Sequence, residues 1–138
     1  MKYEEFDIVE KELKIVLPEA YKQLVISNPF KRVLKIIKKD RFFTNHLKMI
    51  YYNKIIRKKG YFGKMWNKNY FIIGYYREDT YRIIDLKDTN KERIYAVIRE
   101  DQDINSKRIK RVIIAETYKE FVRNNKELYW RWWGWWGW

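Results

Sequence analysis

The sequence predicts an α+β fold: one domain in which a mostly antiparallel sheet is packed by N-terminal, middle and C-terminal helices. Three observations carry this. Tyr70-Phe71-Ile72-Ile73-Gly74 and Tyr81-Arg82-Ile83-Ile84-Asp85-Leu86 are β-branched and aromatic runs flanking a polar insert at Arg77-Glu78-Asp79, which is a hairpin signal. Both parities of the first run are apolar, as in a strand covered on both faces. Apolar residues elsewhere recur at helical spacing, and 138 residues suffice for one core but not for two comfortable ones.

Taken in order, Glu4 to Leu13 reads as a first helix, with Phe6, Val9 and Leu13 on one stripe. Leu17-Pro18-Glu19-Ala20-Tyr21 opens a second, with proline at the first helical position and Glu19 at the positive end of the dipole. Tyr21, Leu24 and Val25 form its buried stripe, and Asn28-Pro29 ends it. Lys31 to Arg41 reads as a strand or extended piece. Thr44 is then expected to cap a third helix reaching Lys59, with Leu47, Ile50, Tyr51 and Ile55 inward and Gly60 at the C-cap. A loop containing Gly60, Gly63 and Trp66 leads into the hairpin. A third strand is expected over Arg93 to Arg99, a polar loop over Glu100 to Lys107, and a fourth strand over Val112 to Ala115. Thr117 and Glu120 form a capping box for the last helix, whose inner face holds Tyr118, Phe121, Val122 and Leu128.

The chain contains no cysteine, so disulfides, thiolate zinc sites and thiol nucleophiles are excluded, and a reducing, cytoplasmic setting is expected. No apolar run approaches the ~20 residues of a membrane span, and Met1-Lys2-Tyr3-Glu4-Glu5 does not read as a secretory signal. The net charge is +13, and it is local. Between Lys31 and Asn69 stand thirteen Lys or Arg and one acid, Asp40; the remainder has eighteen bases and seventeen acids. Such a segment attracts polyanions, or is simply a solvated lysine-rich face. Chemistry is sparse. His46 is the sole histidine and reads as structural or solvated. Asp101-Gln102-Asp103-Ile104-Asn105 begins like a calcium loop, yet Ser106 and Val112 occupy the positions that need glycine and glutamate. Glu78-Asp79 and Glu100-Asp101 could pair carboxylates, although loop acids are usually only solvated. No phosphate loop or nucleophile elbow is present, and neither an enzyme nor a cofactor is expected.

Four ordered segments carry a family resemblance. Leu17-Pro18-Glu19-Ala20-Tyr21-Lys22 is similar to an "LPxxYK" helix start, and Ile50, Asn53 and Arg57 to an "IxxNxxxR" helix. Trp66, Phe71-Ile72-Ile73-Gly74 and Tyr81-Arg82-Ile83-Ile84-Asp85-Leu86 resemble a "W…FxxIG…YxIDL" hairpin, and Ala115-Glu116-Thr117-Tyr118-Lys119-Glu120-Phe121 a final helix start. Together they resemble the SUKH superfamily, which joins a fungal cell-wall-synthesis regulator to many bacterial immunity proteins. The resemblance implies a SUKH-like domain over residues 1–128, followed by a Trp-rich tail over 129–138. It implies protein binding rather than catalysis: neutralisation of a cognate toxin by occlusion. Two loops depart from the family pattern and are expected to vary with the partner. Tyr75, Tyr76, Arg77, Glu78 and Asp79 in one, and Arg99, Glu100 and Asp101 in the other, are the contact candidates. The alternatives are a nucleic-acid binder using the basic 31–68 segment with Tyr51, Tyr52, Tyr61, Phe62 and Trp66 for stacking, and a peripheral membrane protein held by the tail. The tail, Trp130-Arg131-Trp132-Trp133-Gly134-Trp135-Trp136-Gly137-Trp138, is expected first to pack on its own domain or on a second copy, and only then on a partner or a membrane.

Overall fold

The computed structural model describes residues 1–29, 41–76, 80–98 and 109–125. Helices α1 (Tyr3–Leu13) and α2 (Glu19–Ser27) precede a short strand β1 (Arg41–Phe42) and the long helix α3 (His46–Lys59). Strands β2 (Tyr70–Tyr75), β3 (Tyr81–Asp85), β4 (Ile94–Val97) and β5 (Arg111–Ala115) follow, and residues 118–125 are helical (α4). The sheet is a meander in the order β1-β2-β3-β4-β5, with every neighbouring pair antiparallel. The α+β expectation is met.

One face of the sheet carries the helical core. Phe6, Val9 and Leu13 of α1 are buried with Tyr21, Leu24 and Val25 of α2, as the stripes require. Tyr21 is fully buried, and its ring meets Phe6, Phe42 and Phe71 edge-on at 6.5, 6.4 and 5.6 Å. Edge-to-face packing suits the ring quadrupoles. Phe121 of α4 closes the cluster against Phe42. The turn joining α1 to α2 is fixed by Glu10, which accepts the Leu17 N–H at 2.8 Å and pairs with Lys22 at 3.1 Å.

Helix α3 lies beside the sheet and departs from two expectations. Its N-cap is Asn45 rather than Thr44, because the Asn45 carboxamide accepts the N–H groups of Leu47 and Lys48. Its buried residues are Met49, Asn53 and Ile56, while Leu47 and Tyr51, expected inside, are 64% and 61% exposed. The cause is Asn53. The ladder between β1 and β2 stops near Phe43, whose N–H donates to Ile73. The Asn53 carboxamide then accepts the Ile72 N–H at 2.8 Å and donates to the Ile72 carbonyl at 3.1 Å and the Met49 carbonyl at 2.8 Å. A polar side chain therefore defines the inward face and rotates the apolar stripe away from the one expected.

Proline 18 stands at the N-cap of α2, one position before the helix proper. The third expected strand is shorter than expected, Ile94–Val97, and the fourth begins at Arg111 rather than Val112. Of the strand or extended piece expected over 31–41 only Arg41 is described, at the start of β1; residues 30–40 lie outside the described residues, as do Leu128 and the 100–107 loop. Of the expected capping box, the Thr117 hydroxyl oxygen accepts the Glu120 N–H as expected, whereas the Glu120 carboxylate accepts the N–H of Glu116 rather than that of Thr117.

Candidate functional site

The other face of the sheet is aromatic. Direct cross-strand partners share a face, and the pairing of Tyr75 with Tyr81 and of Tyr70 with Asp85 places the tyrosines together. Tyr75 packs against Phe43 and Tyr52 at 6.0 and 5.8 Å, Phe43 and Tyr52 stack at 5.0 Å, and Tyr51 meets Tyr52 edge-on. The line continues from Tyr81 to Tyr61 and Trp66, and from Trp66 to Tyr70. It ends at Arg111, whose guanidinium lies 5.1 Å from the Tyr70 ring and 4.0 Å from the Tyr95 ring. A band of rings thus crosses from α3 to β5, with Tyr51, Phe62 and Met65 exposed on it.

Local sequence explains the band. Trp66 is held because its indole N–H donates to the Tyr70 carbonyl at 3.1 Å. The tight turn that brings Tyr61 and Trp66 back over the sheet needs Gly60: its φ is +76°, and a Cβ there would lie 2.5 Å from the Lys64 carbonyl oxygen. Arg57 anchors the start of this loop. It donates to the Leu13 carbonyl at the end of α1 and to the Lys68 carbonyl, and burial pushes its pKa down from the ordinary value. Asn53 and Arg57, two of the residues that carried the family resemblance, are therefore structural pins.

The charge states are simple. Burial first, then the neighbouring Tyr75 hydroxyl, raise the Tyr52 hydroxyl above its usual range, so it is neutral at physiological pH. Burial works to lower the Arg111 pKa, but the Asp85 carboxylate 2.8 Å away together with the Tyr70 and Tyr95 hydroxyls outweighs it, and the cation is retained. His46 Nδ1 sits 2.6 Å from Glu5 and ties the start of α3 to α1, a structural place as expected. Among the described residues, no three His, Asp or Glu side chains are grouped so that they could hold a metal, and no helix is long and apolar enough to cross a membrane. A cavity of about 290 Å³ between the α1–α2 turn and Leu86 lies at the opposite end of the hairpin from Tyr75.

Of the expected contact residues, Tyr75 and Tyr76 sit at the hairpin tip, where the Tyr76 N–H donates to the Thr80 carbonyl at 2.9 Å. Tyr75 faces the aromatic band. Tyr76 is 36% exposed, and the Arg82 guanidinium lies 5.5 Å from its ring. Arg77, Glu78, Asp79, Arg99, Glu100 and Asp101 lie outside the described residues, as does the tail over 129–138. Sequence reading did not find Phe43, Arg82 or Arg111. Arg82 occupies a strand position where its charge suggests exposure, and only the fold shows that it is buried.

The described residues thus form a meander sheet with α1, α2 and α4 over one face and, on the other, an aromatic band that is buried at Phe43, Tyr61, Trp66 and Tyr95 and exposed at Tyr51 and Phe62. The chain belongs to the SMI1 / KNR4 family (SUKH-1), whose family model matches residues 2–124. Neither the curated proteins nor the solved structures contain a match to it.

Proposed function

We propose that this protein is a non-enzymatic immunity protein that acts in the cytoplasm and neutralises a cognate bacterial toxin by covering it. Family membership supports a protein-binding role. The observation that carries the reading further is the position of Tyr75 and Tyr76: the loop that departs from the family pattern emerges where the aromatic band meets the rim. Tyrosine anchors beside a variable polar loop suit an interface core with a polar rim. Arg77, Glu78, Asp79, Arg99, Glu100 and Asp101 are the polar contacts this reading proposes. A net charge of +13 favours a toxin with an acidic surface over one that binds nucleic acid. The test is co-expression with the product of the gene immediately upstream, reading complex formation and growth rescue; a toxic neighbour that is neither bound nor neutralised refutes it.

Exposed Tyr51 and Phe62 beside Lys48, Lys58, Lys59 and Lys68 favour nucleic acid as the second reading. Binding to DNA or RNA that weakens steeply with salt is its signature, and a null result at low salt removes it. Vesicle flotation of the full chain against a chain stopped at Leu128 tests membrane attachment by the tail.

A further inference from the structure

The cavity of about 290 Å³ lies at the opposite end of the hairpin from Tyr75, so it stands apart from the proposed toxin contact. One wall is the extended link between α1 and α2, from Lys14 to Pro18; Asn69, Leu86 and Lys91 form the other. Both walls are pinned. The Ile15 N–H donates to the Glu10 carbonyl at 3.0 Å, and the Leu17 N–H to the Glu10 carboxylate at 2.8 Å. Opposite, the Leu86 N–H donates to the Asn69 carbonyl at 2.8 Å, and the Tyr118 hydroxyl to the Lys91 carbonyl at 2.9 Å. A cavity whose walls are already fixed gives up little freedom when it is filled.

The lining joins apolar surface to unpaired positive charge. Leu17 belongs to the hydrophobic core and Leu86 packs against it. Lys14 and Lys91 are exposed, and neither pairs with an acid among the described residues. The Asn69 carboxamide makes no hydrogen bond among those residues either. No acid lines the cavity, and the acids nearby in sequence are engaged elsewhere: Glu10 with Lys22, Asp85 with Arg111, and Asp88 with Arg93. Glu92 follows Lys91 and lies outside the lining.

We infer that this cavity binds a carboxylate carried on a small branched apolar group. Lys14 and Lys91 supply the opposite charge, the Asn69 amide donates a hydrogen bond, and Leu17 and Leu86 take the alkyl part. Small-molecule sites start at roughly 300 Å³, so there is room for one side chain and its carboxylate but not for a nucleotide. Phosphate suits the lining less well, because it is best cradled by successive backbone N–H groups or a forked arginine, and neither arginine nor glycine is present there. The same chemistry is offered by a free acid and by the end of a peptide chain with an apolar last residue.

The test is amide chemical-shift mapping on the full chain, titrated with isocaproate, with its primary amide, and with an acetylated tetrapeptide ending in leucine. Saturable shifts at Ile15, Val16, Asn69 and Leu86 are expected with both acids, in the millimolar range for so small a ligand as isocaproate. The amide should bind at least several-fold more weakly. Lys14→Ala combined with Lys91→Ala should weaken isocaproate by about tenfold, the scale of two exposed charge contacts. Asn69→Asp should abolish binding by placing a like charge in the cavity; the fold survives, since the backbone of Asn69 and not its side chain holds Leu86. Lys58→Ala with Lys59→Ala removes the same charge elsewhere and should change nothing. Tighter binding of the tetrapeptide assigns the site to a chain terminus, and tighter binding of isocaproate to a free acid. The inference is overturned if neither acid gives saturable shifts there, if the amide binds as well as the acid, if inorganic phosphate gives the same shifts, or if the Lys58 and Lys59 pair matters as much as Lys14 and Lys91.

Discussion

Asn53 substitutes for a strand where β1 stops, and its energetic weight follows from what it satisfies. Asn53→Ala leaves the buried N–H and carbonyl of Ile72 without partners. Each orphan costs about 1–3 kcal/mol, so a loss of about 2–4 kcal/mol is expected in urea denaturation. Asn53→Asp is expected to be worse at pH 7, since a carboxylate would face the Met49 and Ile72 carbonyl oxygens that the amide now donates to. That site favours the protonated acid and raises its folded pKa. A raised folded pKa contributes stability below the unfolded value and loses it as pH rises through the folded one. The deficit of Asn53→Asp relative to wild type should therefore shrink as pH falls from 7 toward 4. Asp88 behaves oppositely. The Tyr95 hydroxyl, chiefly, holds its carboxyl below the usual aspartate range, and burial only partly opposes this. A depressed folded pKa contributes stability above the unfolded value of about 3.9 and loses it as pH falls through the folded one. Tyr95→Phe should flatten the acid limb of the melting-temperature profile below about pH 4; an unchanged limb would show that this hydroxyl does not set the Asp88 pKa.

At the scale of elements, legibility followed the kind of physics that places each one. The hairpin of β2 and β3 was plain because runs such as Phe71-Ile72-Ile73 have few alternatives to a doubly covered strand. The faces of α1 and α2 were plain because apolar side chains alone define them. The face of α3 was not, since hydrophobic periodicity counts Asn53 as outside and Leu47 and Tyr51 as inside, whereas hydrogen bonding to Ile72 decides the rotation. The candidate site was half legible for the same reason. Tyr75 and Tyr76 followed from the hairpin, but the band linking Tyr52, Phe43 and Arg111 depends on long-range register that local sequence does not encode. Strand β1 is the most delicate element. A Cβ at Gly74 would stand 2.0 Å from the Arg41 carbonyl oxygen, so β1 docks there only against glycine. Gly74→Ala should push β1 off the sheet at a cost of about 1–3 kcal/mol. Amide exchange reports this directly: the Phe43 N–H, bonded to Ile73, should lose protection while the β3 and β4 amides keep theirs.

Across the whole molecule, the proposed function divides charge and rings between two jobs in binding. The bases of the middle segment, including exposed Lys48, Lys58, Lys59 and Lys68, set the field at a distance, while Tyr75 and Tyr76 lie at the hairpin tip, the proposed contact. Exposed charges act over about a Debye length, near 8–10 Å at physiological salt, and govern how often partners meet; buried anchors govern how long they stay. If the partner is an acidic toxin surface, Lys48→Glu combined with Lys58→Glu and Lys59→Glu should lower the association rate several-fold in surface-binding kinetics, and raising salt should abolish the difference. The dissociation rate should hardly move. Tyr76→Ala should do the reverse, raising the dissociation rate by about tenfold, the scale of a truncated anchor residue, at an association rate near wild type. Nucleic acid as the true ligand would give a different pattern. The equilibrium affinity itself would fall linearly with the logarithm of salt, and each lysine reversal would reduce that slope, because every phosphate neutralised releases counterions. Kinetics on three proteins at three salt concentrations therefore separates a steered protein interface from a polyanion groove, even before the partner's own chemistry is known.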